Sequence, residues 1–329
     1  MTSPPPARRA FYYWRTTLHL SDVEQRALTR LAIGRLYVRL FDVDWDAREN
    51  AARPLGPLAI GGDGGVPATI EVVPVVFIRA RALRHLDRPA IAALADDIWR
   101  KVTAMVPRLG RRSGELQFDC DWSETTRDSF FALLAAVGER ARPAGVTLGA
   151  TIRLHQVKYR ERTGVPPVAR GMLMFYNMGR VDADPATNAI FDAAAAEAYL
   201  GRVADYPLPL DVALPIWSWV IHVRAGEVEG LLQDTDPTRL ADKTWLAPRG
   251  AGRFEVTEST FLNGVLLRKG DLLDAEVTTA ATTQAAADMI AARLSAGRLP
   301  RTVALFHLSE RNLANHETQD LARVFDRFR

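Results

Sequence analysis

The chain reads as a (β/α)8 barrel, on three observations. Eight β-rich runs are spread over its 329 residues, and most of them are followed by a run with helical spacing. No G-x-G-x-x-G follows any strand and no G-x-x-x-x-G-K-[ST] occurs, which removes the main support for dinucleotide or P-loop folds. An open doubly wound sheet also more often holds roughly five to seven strands.

The first run, AFYYWRTTL from Ala10 to Leu18, is aromatic and strand-forming. Ser21 starts a helix through SDVEQRALTRLAI, with Glu24 placed as a capping box requires, and Gly34 ends it. RLYVRLFDVDW is the second strand. Ala47 to Ala68, rich in Gly and Pro, reads as a surface loop. IEVVPVVFI is almost wholly apolar, as a strand buried on both faces should be. A helix follows from Pro89 to Val106 on the spacing of Ile91, Leu94, Ile98, Val102 and Met105.

GELQFDCDWSE, Gly114 to Glu124, is the fourth strand. Alternation puts Gln117, Asp119 and Asp121 on one face and Phe118, Cys120 and Trp122 on the other, so two carboxylates share one small volume. Ser123 reads as the N-cap of the next helix. VTLGATIRLHQV, GMLMFYNMG and LPLDVALPIWSWVIHV supply strands five to seven, with Tyr159 to Val168 a surface loop and helical spacing clearest from Asn188 to Val203. Arg224 to Val277 interrupts the alternation. It reads as an insertion outside the barrel, with a hairpin turning at Asn263-Gly264. A helix from Thr283 to Ser295, the strand TVALFHLSE and a polar terminal helix complete the chain. Residues 1–9 read as a disordered tail and 10–329 as one domain.

Composition sets bounds on function. A hydrophobic share of 48% against 25% charged is that of a folded globular protein, and no apolar run approaches the roughly 20 residues of a membrane span. The 42 Lys and Arg nearly balance the 39 Asp and Glu and are scattered, which leaves no nucleic-acid footprint. The single cysteine, Cys120, excludes an intrachain disulfide and a cysteine metal cluster, and is read as a small buried hydrophobe. MTSPPPARR has no apolar signal core, so the expected location is cytoplasmic, or periplasmic or exported if a leader has been removed. Oligomeric state is not legible.

A barrel gathers its strand ends at one mouth. Tyr13, Trp14 and Arg15 end the first strand; Arg39, Asp42 and Asp44 the second; Asp119, Asp121 and Glu124 the fourth. Arg153, His155, Gln156 and Lys158 end the fifth, Tyr176 and Asn177 the sixth, Trp217 and Trp219 the seventh, His307 and Glu310 the eighth. Carboxylates among Trp and Tyr suit a carbohydrate, whose rings offer C–H faces to aromatics and hydroxyls to charges. Paired carboxyl groups are also what glycosidases use. The same residues admit plainer readings. Asp119 and Asp121 paired to Arg39 and Arg153 would be a structural plug. Trp217 and Trp219 would be core aromatics, and His155 and His307 hydrogen-bonded structural residues. Asp42, Asp44, Asp119 and Asp121 would suit a hard cation, but nothing fixes their spacing across strands, and neither metal nor cofactor is assigned.

On these residues the sequence resembles glycoside hydrolase family 18, the chitinase-like barrels, and more closely a group of uncharacterised bacterial barrel proteins similar to them. The family's fourth strand carries D-x-x-D-x-D-x-E. Aligned on LQFDCDWS, its two later aspartates fall on Asp119 and Asp121 and its frequent Trp on Trp122. The family's M-x-Y-D looks like Met174 to Asn177, and its late extra module is similar in place to Arg224–Val277. Two positions depart: Leu116 stands at the first aspartate, and Ser123 at the catalytic glutamate, with Glu124 one residue late.

The resemblance implies a glycan-active barrel, a glycoside hydrolase acting on a polysaccharide or oligosaccharide through strand-end carboxylates, with Asp119 and Asp121 in the site and Asp121 and Tyr176 keeping the family's substrate-orienting role. Tyr13, Trp14, Arg39, Arg153, His155, Gln156, Asn177, Trp217, Trp219 and His307 are the expected glycan-binding set. Arginines facing inward would favour a charged, orienting Asp119 or Asp121, which leaves Glu124 or Asp42 as the proton donor. Two alternatives stand beside hydrolysis: a carbohydrate-binding barrel that has lost the acid, for which Ser123 argues, and a metal-dependent hydrolase.

Overall fold

The structure is a computed structural model that describes residues 6–61, 65–84, 86–110, 114–176, 188–232, 235–294 and 302–328. Eight parallel strands close on themselves: β1 (Arg8–Tyr13), β2 (Arg35–Asp46), β3 (Glu71–Ile78), β4 (Glu115–Cys120), β5 (Thr147–Arg153), β6 (Arg170–Met174), β7 (Leu210–Pro215) and β8 (Thr302–Phe306). Closure is made at β1, where Ala10 is in register with Arg35 of β2 on one side and Ala304 of β8 on the other. All eight runs read as strands from the sequence are barrel strands; the first begins at Arg8, two residues before the expected start.

The alternation of each strand builds two separate apolar layers. Ala10, Tyr12, Tyr37, Val73, Val75, Met172, Met174, Ala213 and Ala304 fill the barrel, while their neighbours in sequence, among them Phe11, Val38, Val76 and Leu173, pack outward. The outer layer meets α1 (Asp22–Arg30), α2 (Arg88–Met105), α3 (Arg127–Ala141), α4 (Ala193–Leu200), α5 (Ala280–Ala291) and α6 (Thr318–Asp326). α1 has the capping box that Ser21 and Glu24 foretell, and α2 starts from Asp87 with proline in its first turn.

Charge closes the amino end of the barrel. Arg35 reaches Glu71 at 2.8 Å and Glu115 at 3.1 Å, and Arg170 reaches Asp211 at 3.1 Å. Burial raises the Glu115 pKa, with Arg35 opposing the shift. Gly149 makes room for this floor: a Cβ there would lie 2.9 Å from the Glu115 Oε1.

Three local expectations are corrected. Ala47–Ala68 is not simply a loop, because Ala51–Leu55 pairs antiparallel with the upper end of β2 and Ala59–Ile60 pairs with Thr17–Leu18. These strands are too short to show a period. The helix after β4 begins at Arg127, not at Ser123. Ser123, Thr125 and Thr126 bond to one another through their hydroxyls, and the Ser123 carbonyl accepts from Thr126 N (3.1 Å) and Arg127 N (2.9 Å), so a turn precedes the helix.

Finally, the run 207–222 is two strands. β7 ends at Pro215, and Trp219–Arg224 opens an antiparallel sheet ordered 227–231, 219–224, 272–276, 253–256, 246–250. Val220, Leu246, Val256 and Leu273 form the core of this insertion, which lends no strand to the barrel. Thr260–Leu262 pairs with Val265–Leu267 around Asn263 (φ 48°) and Gly264 (φ 82°), the backbone that an Asn-Gly hairpin turn requires.

Candidate functional site

The carboxyl ends of the strands hold an aromatic floor with a charged side. Trp14 touches Phe77 (ring centroids 6.0 Å) and Phe306 (5.6 Å); Trp217 touches Phe306 (5.4 Å) and Tyr176 (4.6 Å). These rings come from β3, the residue after β1, β8 and the segments after β6 and β7, and neighbours meet edge-on or tilted, as ring quadrupoles favour.

Asp119 stands on the charged side, on the inward face of β4 as alternation requires. Its carboxylate accepts from Thr151 Oγ1 at 2.6 Å and from Arg153 at 3.1 Å, and its side chain is 5% exposed. Thr151 and Arg153 alternate on β5, so two consecutive inward positions of one strand hold one aspartate of the next. Tyr176 is buried, which raises its pKa against the pull of Arg153, so its phenol keeps its proton. Asp121, two residues beyond Asp119, is 64% exposed and lies 3.6 Å from His155 Nε2. Burial lowers the His155 pKa, with Asp121 opposing and Arg153 adding to the shift. The imidazole is therefore neutral at pH 7, and Asp121 is open to solvent.

The remaining expected residues divide. Asp42 is on the mouth side of β2 but is held by Arg39 at 2.6 Å and by Arg79 at 3.8 Å. Arg39 therefore serves Asp42, and no bond joins it to Asp119 or Asp121 among the described residues. Asp44 is paired with Arg79 and Arg81. Glu124 is exposed on the turn ahead of α3. Trp217 joins the floor, and Trp219 belongs to the first strand of the insertion, its indole 6.2 Å from that of Trp217.

Two residues read as binding groups, Tyr13 and Gln156, are turned elsewhere. Tyr13 faces the outer layer, its hydroxyl donating to the Thr17 carbonyl at 2.7 Å; alternation gives the inward place to Tyr12, which donates to Gln117 at 2.6 Å. Gln156 is fully buried, accepting from Arg153 N at 2.7 Å and donating to the Trp122 carbonyl at 3.0 Å, so it fastens the ends of β4 and β5 to each other. His307 is half-buried with its ring against Phe306 of the floor, and desolvation lowers its pKa to about 4, with Arg15 and Arg311 adding to the shift. Asn177 lies outside the described residues.

Sequence reading missed Phe77, Phe306 and Thr151. All three follow from the alternation that places Val75, Ala304 and Arg153 inward, so the signal was present in the strands. Cys120 is buried in the outer layer as expected, and burial pushes its thiol pKa well up. Among the described residues, no group of three or more His, Cys, Asp or Glu side chains is arranged to hold a metal ion. No described helix is long and apolar enough to cross a membrane.

No family model matches the sequence, and no curated protein matches it. The fold does find counterparts. A chitinase from Chromobacterium violaceum superposes with a TM-score of 0.56 at 13% identity, covering 98% of each chain. A spore cortex-lytic enzyme from Bacillus megaterium superposes at 0.58 and 12% identity, over 99% of this chain and 76% of the other. A chitinase-like agglutinin from Robinia pseudoacacia superposes at 0.51 and 11% identity, over 96% and 99%. The architecture this chain shares with these structures is the (β/α)8 barrel.

Proposed function

We propose that the protein binds a glycan chain across the mouth of the barrel, with Trp14, Phe77, Trp217 and Phe306 offering ring surfaces and Asp121, Tyr176 and Arg153 offering polar contacts. The observation that carries this reading is the pairing of an aromatic floor with Ser123. The floor suits sugar rings, while the position aligned with the chitinase-like acid carries a hydroxyl bonded to Thr125 at 2.9 Å. Asp119 is committed to Thr151 and Arg153 and serves to fix the mouth.

Hydrolysis is the second reading, favoured by one observation: Asp121 and Glu124 are both solvent-exposed carboxyl groups at the end of β4. A glycosidase needs an acid beside the glycosidic oxygen, and Glu124 is the carboxyl nearest in sequence to the family position. Asp42, engaged by two arginines, is less suited to give up a proton.

A glycan array followed by a hydrolysis screen on the glycans retained tests both readings. Binding without cleavage is the expected result. Cleavage abolished in Glu124→Gln or Asp42→Asn would establish the hydrolase and name its acid; cleavage lost to a chelator would assign the metal-dependent class. Absence of any glycan binding would end the proposal.

A further inference from the structure

The insertion is fastened to the barrel by a seam that also sets the position of an aromatic ring. Trp219 and Glu276 are directly opposed in the antiparallel pairing of 219–224 with 272–276, where one strand leaves the barrel and the other returns to it. Opposed residues share a face of the sheet, and here it is the face away from the insertion core, since Val220 and its partner Ala275, one position along each strand, pack into that core. The Trp219 indole N–H donates to the Glu276 carboxylate, whose other oxygen accepts from Ala189 N at 2.9 Å, so one buried side chain joins the ring to the segment that follows β6. Burial raises the Glu276 pKa, and both N–H donors oppose the shift. Thr278 completes the seam by donating from its hydroxyl to the Trp217 carbonyl and from its N–H to Ser218 Oγ at 3.0 Å.

A buried carboxylate spent on orienting an indole is costly unless both of its oxygens are satisfied, and here both are. The result is a row of rings continuing the mouth beyond the barrel wall: Phe77, Trp14, Phe306, Trp217, Trp219, with successive centroids 5.4–6.2 Å apart. None of the five is fully buried. A row of this kind matches a linear saccharide of several units and is wasted on a monosaccharide.

We infer that Glu276 is a positioning residue that holds Trp219 as the outermost ring platform for an extended oligosaccharide, so that the insertion sets the chain length the protein recognises. This rests on the proposed glycan reading of the mouth.

The test uses the glycan that the array identifies, taken as a dimer and as a hexamer, with wild type, Glu276→Leu, Glu276→Gln and Trp219→Phe. Wild type should bind the hexamer at least tenfold more tightly than the dimer. Glu276→Leu should lose most of that ratio while leaving dimer affinity unchanged, and Glu276→Gln, which keeps an acceptor oxygen, should restore it. Trp219→Phe keeps a ring without the donor, should lose the ratio in part, and carries the test if Glu276→Leu fails to fold. A merely structural Glu276 would lower both affinities together or neither, and either outcome overturns the inference. If wild type binds neither length, the reading of the mouth fails and the inference with it; if wild type shows the length dependence and all variants keep it, only the inference fails.

Discussion

Arg153 and Asp119 are the pair on which the charged side of the mouth depends. A carboxylate only 5% exposed is tolerable because a guanidinium and a hydroxyl share its charge. Arg153→Leu should therefore destabilise the protein by about 3 kcal/mol, since it leaves Asp119 buried with Thr151 alone. Urea unfolding of Arg153→Leu, Asp119→Asn and the double variant checks this, and the double variant should recover part of the loss; additive losses would show that the two do not act as a pair. His307 makes a prediction in pH. Its folded pKa is about 4 against an ordinary value near 6.5, so above pH 6.5 it is neutral folded and unfolded and contributes nothing. As pH falls from about 6.5 to about 4, the unfolded chain takes up a proton that the folded one refuses, and stability falls by on the order of 3 kcal/mol. His307→Asn should flatten that part of the stability curve relative to wild type. An unchanged acid limb would mean that the imidazole protonates in place.

At the scale of elements, the strands were legible because each carries its own alternation, and the helices because each carries a cap or a spacing. What was not legible came from positions where short-range chemistry overrides the period. Three hydroxyl residues after β4 form a turn and move the cap of α3 three residues on, from Ser123 to Thr126. Ala51–Leu55 shows no period and forms only because β2 runs past the barrel and offers it an edge. Tyr13 was read as a mouth residue from its place at a strand end, while the parity of the strand assigns that role to Tyr12 and Trp14. Parity is also why Phe77 and Phe306 could have been found. The close approach between strands makes a stability prediction: a Cβ on Gly171 of β6 would fall 2.7 Å from Ile152 and 2.8 Å from Leu210, side chains of the strands on either side. Gly171→Ala should destabilise by about 1–3 kcal/mol through overpacking, and thermal unfolding would show it. An unchanged melting temperature would mean that β5 and β7 yield at no cost.

For the whole molecule, eight strands, their closure and an insertion outside the barrel were all legible, since repetition of one unit leaves a long-range pattern that survives local errors. The site was legible only in part. Asp119, Arg153 and Tyr176 do come together, along with Trp14 and Trp217, because the barrel gathers strand ends whatever their sequence separation. The pairing of Asp42 with Arg39 and Arg79, and the clamp of Glu276 on Trp219, depend on which of several partners a long side chain reaches, and no period encodes that choice. The seven tryptophans offer the most direct test that the mouth is the glycan site. Trp14, Trp217 and Trp219 are in the ring row; Trp122 is stacked on Phe130 in the outer layer, against which Trp45 and Trp99 also pack, and Trp245 packs against the insertion core. In a 15N-indole spectrum titrated with the oligosaccharide that the array selects, the account predicts that the N–H signals of Trp14, Trp217 and Trp219 shift with saturation while that of Trp122 stays in place. Saturable shifts confined to Trp45, Trp99 or Trp245 would place the glycan elsewhere and contradict it.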